Sequence, residues 1–189
     1  MSRPIILSVC TLILAMALPS GAHAKHEEIH RQLLAYDAAP DRPTLVAAAA
    51  PATAEDALMT VHGDPARPRI VRLRALDALG LFPSLAVRGY LHRLTADPAA
   101  DALDRMHAGT ALVFAFGDGA LTSVRPLLND AGTDGAVVVA VADALVRYAG
   151  PAGRALVRDV RRAAGKDPRR MDALDRVLAP RENVAPMIR

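Results

Sequence analysis

The chain has 189 residues and a single cysteine, and its 23 basic and 20 acidic side chains give a net charge of +3 at pH 7. One cysteine excludes an intramolecular disulfide framework, and this length allows one folded domain with its own apolar core. Aromatic residues make up 3% of the chain. Ala, Leu, Val and Arg dominate instead, which favours helices over strands.

The first 24 residues have the pattern of a secretory signal peptide. Arg3 provides a short positive region, residues 5–18 form an apolar run that is short for a membrane span, and Ala22-His23-Ala24 fits a cleavage site. We therefore predict cleavage after Ala24 and export to the periplasm or out of the cell, with no stable membrane insertion afterwards. An uncleaved membrane anchor is the alternative. Because Val9 precedes Cys10, the segment is a poor lipidation signal.

The predicted mature chain opens with a match to the zinc-protease pattern H-E-x-x-H, His26-Glu27-Glu28-Ile29-His30. On a helix this spacing places both histidines on one face and lets Glu27 reach a metal-bound water. A catalytic zinc also needs a third protein ligand and a shaped cleft. The histidines at positions 62, 92 and 107 have no ligand spacing. We therefore expect no metal or other cofactor, and the alternative is a metal-binding protein or metallohydrolase that uses His26 and His30.

Residues 25–64 are predicted to form N-terminal capping helices. The first is amphipathic, with Ile29, Leu33 and Leu34 facing inward, and residues 41–52 are either irregular or a short helix. Thr53, followed by Glu55 and Asp56, is typical of a capping box and predicts a helix that runs to about residue 62.

A regular recurrence organises the rest of the chain, with a period of 33 that separates Asp64 from Asp97 and Asp97 from Asp130. It predicts three repeats over 65–97, 98–130 and 131–166, and a fourth start at Asp167 that is delayed by four residues. Each repeat holds two helical patterns, and turn-forming residues separate them. The other recurring positions are Ala78, Ala111 and Ala144; Leu79, Leu112 and Leu145; and Leu91, Val124 and Val157.

Several local expectations follow from this repeat. The Asp residues that open the three repeats are predicted to cap the first helix of each. Residues 137–141 have the composition of a buried strand, but their place in the repeat favours a helix. Pro126 lies within a predicted second helix and should bend it. Residues 167–179 are predicted to be a C-terminal capping helix, and residues 180–189 a flexible tail.

The stretch DPARPRIVRLRALDALG, residues 64–80, resembles a HEAT repeat. It has Asp-Pro in the turn, Val71-Arg72 early in the first helix, and an Ala/Leu-rich ridge that ends at Leu79-Gly80. The resemblance covers about residues 65–179. It implies an all-α fold, a short right-handed α-solenoid of about eight or nine helices in which neighbouring units stack to build the core.

Charge is distributed unevenly along the chain. Residues 25–146 hold eleven basic and fifteen acidic side chains, net −4, whereas residues 147–189 hold eleven and five, net +6. The resemblance implies that second helices line the concave side of the array. It therefore implies a basic surface there, formed by Arg88, His92, Arg125, Arg154, Arg158 and Arg161. The alternatives are a solvated arginine-rich face, pairing between units, or head-to-tail self-association.

The function predicted from these features is non-catalytic. Ser84 and Ser123 do not lie in a nucleophile elbow, and the mature chain has no cysteine nucleophile. Arginine's planar fork suits carboxylates and phosphates, so the basic surface predicts an acidic partner. Export makes nucleic acid an unsuitable ligand. We therefore predict an exported HEAT-like protein that binds another protein, or acts as a scaffold, in the cell envelope.

Overall fold

Helices account for all the regular secondary structure in the part of the chain that the structure describes. In the computed structural model this part is residues 21–35, 39–50, 52–165 and 167–179, with side chains from Glu27 onward. It contains ten α-helices, one 3₁₀ helix and no strand, which confirms the all-α prediction. The helices are α1 (Gly21–Leu34), α2 (Arg42–Ala49), α3 (Ala54–Gly63), α4 (Arg69–Leu79), α5 (Leu85–Ala96), α6 (Ala102–Phe116), the 3₁₀ helix (Gly117–Ala120), α7 (Leu121–Asn129), α8 (Gly135–Tyr148), α9 (Gly150–Ala163) and α10 (Pro168–Leu178).

The N-terminal cap consists of α1, α2 and α3. Ile29 and Leu33 are buried as predicted, but Leu34 is 39% exposed, so its predicted inward position is wrong. Ile29 and Leu33 are four residues apart and share one helix face, whereas Leu34 lies about 100° further round the helix. The segment left open as irregular or short helical is helix α2. Thr53 caps α3 as predicted, accepting a hydrogen bond from the Asp56 backbone N–H.

The first helices of successive repeats begin at strictly spaced positions. Their N-cap residues are Pro68, Asp101, Asp134 and Asp167, each one full repeat period after the last. The three Asp side chains accept hydrogen bonds from backbone N–H groups of the first helical turn. Helix α10 therefore starts in phase with α4, α6 and α8, and the predicted four-residue delay is wrong.

Asp64, Asp97 and Asp130 have a different role from the predicted one. They follow the last residues of α3, α5 and α7 and do not cap the helices that come next. Each carboxylate accepts a hydrogen bond from the backbone N–H two residues on, at 2.9, 2.9 and 3.0 Å respectively. This is an Asx turn, which Asp forms readily because its short side chain reaches its own nearby backbone. The prediction placed the cap four residues too early.

The turns that lead to the second helices recur with the same period. Ser84 caps α5 through a hydrogen bond from the Val87 N–H, and the equivalent positions are Gly117 and Gly150. These two glycines have φ angles of 54° and 56°, a region that L side chains rarely adopt. The chain therefore leaves both α6 and α8 through a glycine with a positive φ angle. Pro126 lies within α7.

Two sets of helices pack in sequence. In one set α4 contacts α6, α6 contacts α8 and α8 contacts α10; in the other α5 contacts α7 and α7 contacts α9. One continuous apolar core joins them and includes Ile29 of the cap and Leu174 of α10. Residues 137–141 lie within α8, which confirms the helical interpretation. Their β-branched side chains are consistent with this position because Val137, Val138 and Val141 are buried in the core.

Residues 102–129 form a long apolar helical stretch that comprises α6, the 3₁₀ helix and α7. By length and composition alone it is the one stretch among the described residues that could cross a membrane, with a mean hydropathy of 1.3 in its best window. The core helix of a folded protein meets the same criterion, and 44% of this window is buried within the fold.

Candidate functional site

The H-E-x-x-H segment is held by one arginine of the first repeat. Nη1 of Arg67 lies 2.8 Å from Oε1 of Glu27 and 2.6 Å from Nδ1 of His30. Glu27 and His30 are two of the groups that a zinc peptidase would direct at its metal site, and here both contact a cation. The side chain of His26 lies outside the described residues, among which no group of three potential ligands could hold a metal ion. Metal binding by His26 and His30 stays the untested alternative to the expectation of no metal, and zinc analysis of the purified protein would test it.

The basic surface is carried by three helices of the same packed set. Arg88 and His92 lie on α5, Arg125 on α7, and the remaining three arginines on α9. Because α5 contacts α7 and α7 contacts α9, the repeat brings these side chains onto consecutive neighbours. The six residues nevertheless divide into two groups by their contacts.

Arg88 and Arg161 have partners within the fold. Arg88 donates to the carbonyl oxygen of Gly119 at 2.7 Å, and its guanidinium lies 5.6 Å from the centre of the Phe116 ring. Arg161 forms a two-pronged ion pair with Asp175 at 2.7 and 2.8 Å, which joins α9 to α10. This pairing raises the pKa of Arg161 and lowers the pKa of Asp175. These two arginines therefore serve packing between helices and are less available to a partner.

The second group differs from Arg88 and Arg161 and consists of four exposed side chains, those of His92, Arg125, Arg154 and Arg158. None of the four makes a hydrogen bond or an ion pair with any residue that the structure describes. Nearby arginines do find local partners: Arg162 pairs with Asp159. The four side chains are therefore the part of the basic surface that is free to bind another molecule.

Two cavities lie away from this surface. One of about 570 Å³ opens between the ends of α7 and α9 and the start of α10, and another of about 510 Å³ lies between α1, α2 and α4. None of the six basic-surface residues lines either cavity.

A second polar cluster lies in the interior, at the junction of α3, α5 and α6. His62 of α3 is 5% exposed, and its Nδ1 lies 2.6 Å from the hydroxyl of Tyr90 on α5. The two rings meet edge to face with centroids 5.7 Å apart. The Tyr90 hydroxyl also lies 3.4 Å from the carbonyl oxygen of Met59, one turn earlier in α3. A second hydrogen bond, from Ser84 to the Glu55 carboxylate at 2.6 Å, joins α3 to the start of α5.

The other ring nitrogen of His62 is buried without a hydrogen-bond partner. Nε2 lies 3.9 Å from Oδ2 of Asp104 on α6, which is too far for a hydrogen bond. Burial lowers the pKa of His62; the carboxylate of Asp104 opposes this effect and the guanidinium of Arg72 on α4 adds to it. Burial raises the pKa of Tyr90. Both groups are therefore held in their uncharged forms near neutral pH.

His107, on α6 one turn from Asp104, has the opposite behaviour. Its Nδ1 lies 2.7 Å from Oδ1 of Asp77 on α4, and this hydrogen bond raises the pKa of His107. The pKa of His107 is thus raised and that of His62 is lowered, although the two histidines lie in neighbouring parts of the molecule.

This cluster was not predicted from the sequence, because His62 was considered only as a possible metal ligand. The repeat period contains a usable signal, since it carries His62 onto Thr95 and then Leu128, both of which are buried. A histidine at a position that is otherwise interior is a candidate for a special role. Its partners could not be identified in this way because they belong to three other helices.

Comparison with other proteins adds no relative. No family model, curated protein or solved structure matches the chain.

Proposed function

We propose that the protein is an exported, non-catalytic HEAT-like repeat protein that binds an acidic partner through its basic surface. The observation that carries the proposal is a group of four exposed side chains on three consecutively packed helices that have no partner in the described part of the chain, His92, Arg125, Arg154 and Arg158. The regularly spaced N-caps and the two sets of sequentially packed helices support a short right-handed α-solenoid.

The geometry suits an acidic partner that extends over more than one helix. Arg154 and Arg158 are four residues apart on α9, so they lie on one helix face with their Cβ atoms about 6 Å apart. Arg125 stands on the adjacent helix, about 8 to 10 Å away by the usual interaxial distance. Each guanidinium can donate two hydrogen bonds to one carboxylate. A partner with two or three spaced carboxylates would therefore contact both helices.

The test is affinity purification from the envelope fraction with the tagged protein as bait. The variant Arg125→Glu, Arg154→Glu and Arg158→Glu should lose the specifically captured partner while the fold is kept, because all three side chains are exposed. The matched control reverses Arg147, Arg169 and Arg176, which are exposed on α8 and α10 and change the net charge equally. Loss of the partner from the control as well, or its retention by the first variant, would contradict the proposal.

A further inference from the structure

We propose that the contact between His62, Tyr90 and Asp104 is an acid-sensitive joint. When His62 gains a proton, the contact of helix α3 with α5 and α6 loosens. This inference is independent of the basic surface and of any partner that binds there.

The geometry makes the neutral form of His62 the one that fits. In that form the ring exchanges one hydrogen bond with the Tyr90 hydroxyl, at 2.6 Å, and the rest of the ring lies among core side chains. The protonated ring carries a hydrogen on both nitrogens and therefore needs two acceptors. Tyr90 can supply one, but Nε2 has none within hydrogen-bonding distance because Asp104 stands at 3.9 Å.

The charged groups that lie near His62 and its partner Tyr90 are on α4, α5 and α6. Arg72 on α4 and Arg93 on α5 are cations; the latter lies 5.8 Å from the Tyr90 ring centre. Asp104 on α6 is the carboxylate that acts on His62 among the described residues. Burial and Arg72 therefore work against the charged ring, and Asp104 favours it. An imidazolium on a residue that is only 5% exposed is costly unless the joint opens or Asp104 moves closer.

The link to stability follows from the lowered pKa of His62. In the unfolded chain His62 takes up a proton at its ordinary pKa, whereas the folded protein resists protonation until lower pH. Between these two values the unfolded or opened state binds more protons, so the joint weakens as the pH falls. The stabilisation is complete above the ordinary histidine pKa. If the chain is exported as predicted, it meets the external pH directly, in the range where histidine titrates.

The decisive experiment compares the purified protein with the variant His62→Leu, whose side chain matches Leu128 at the equivalent position. Urea unfolding is measured between about pH 7.5 and about pH 5.5, which spans the titration of an ordinary histidine. The unfolding constant of the natural protein should rise by up to about tenfold per pH unit more than that of the variant. Equal pH dependence in the two proteins would overturn the proposal.

Hydrogen exchange shows which helix loses protection in acid, and an NMR titration shows whether His62 is the group that takes up the proton. After correction for intrinsic rates, the amides of α3 should lose protection in acid more than those of α10. An acid response equal in both helices would reject a local joint. The NMR titration of His62 should lie below that of a histidine in an unfolded peptide. A titration of His62 at or above that of the peptide would also overturn the proposal.

The variant Asp104→Asn keeps the test valid if His62→Leu does not fold. It removes the one carboxylate that favours the charged ring, so the NMR titration of His62 should move to lower pH. The control Asp172→Asn, exposed on α10, should leave the titration of His62 unchanged. An unchanged or raised titration in Asp104→Asn would contradict the proposed arrangement.

Discussion

The joint between α3 and α5 and the one between α7 and α9 occupy equivalent places in the repeat but are built from different chemistry. His62 and Tyr90 form the first, and two repeat periods carry them onto Leu128 and Leu156, which are 0% and 2% exposed. An apolar pair tolerates small adjustments and does not respond to pH, because it gains free energy from burial alone. A His–Tyr pair needs defined angles and a defined protonation state. The same position in the repeat can therefore hold an apolar contact, which does not depend on pH, or a polar contact, which does.

The largest expected effect comes from placing a histidine in the apolar joint. Leu128→His buries a polar ring where no partner has been provided, so we expect a loss of about 3 kcal/mol or more in the free energy of unfolding at neutral pH. Urea denaturation measures this loss. Leu128→Met preserves volume and should cost less than about 1.5 kcal/mol. Similar stabilities for the two variants would show that the joints do not differ as described.

A smaller loss is expected from removing the hydroxyl in the polar joint. Tyr90→Phe leaves Nδ1 of His62 buried without its partner and should cost about 1 to 3 kcal/mol in unfolding free energy near pH 7.5. The equivalent residue on α7 is Ser123, which is half-buried. Ser123→Ala should change the stability by less than about 0.5 kcal/mol. Thermal or urea unfolding distinguishes the two, and equal effects would contradict a special role for Tyr90.

The smallest effect is expected at His107, whose pKa is shifted in the opposite direction to that of His62. Because the pKa of His107 is raised, its pairing with Asp77 stabilises the fold below the ordinary histidine pKa and loses this effect as the pH rises through the folded value. His107→Gln should therefore cost about 0.5 kcal/mol in mild acid and nearly nothing in mild alkali, since Asp77 is half exposed. His92→Gln is the control and should be neutral throughout. A larger loss in alkali than in acid would contradict the raised pKa.

The arginines show a related division between structural and free side chains. Arg74 donates to the carbonyl oxygens of Leu33 and Ala35 at the end of α1, and Arg170 donates to those of Leu128 and Asp130 at the end of α7. Helix ends leave such carbonyls without backbone donors, so these arginines satisfy groups that would otherwise lack partners. A high arginine content is thus partly explained by the fold. Only the arginines that do not donate hydrogen bonds within the fold in this way support the proposed partner surface.

Much of the helical arrangement could be predicted from local patterns. Apolar spacing located Ile29 and Leu33 in the core, turn formers located the breaks between helices, and Thr53 correctly began α3. Misassignments occurred where one residue type suits two local structures. Asp favours both helix N-caps and Asx turns, so the pattern alone could not choose between Asp97 and Asp101 as the cap of α6. The hydrogen bonds distinguish them.

The sequence by itself determined the helical class and the repeat period, because helix propensity, apolar spacing and turn formers act over a few neighbouring residues. The same period also places His92, Arg125 and Arg158 of the basic surface at equivalent positions. Only the tertiary structure decided that Arg88 and Arg161 have internal partners while Arg125, Arg154 and Arg158 have none among the described residues. It alone brought His62, Tyr90 and Asp104 together, since burial and charge coupling depend on distances between helices far apart in the chain.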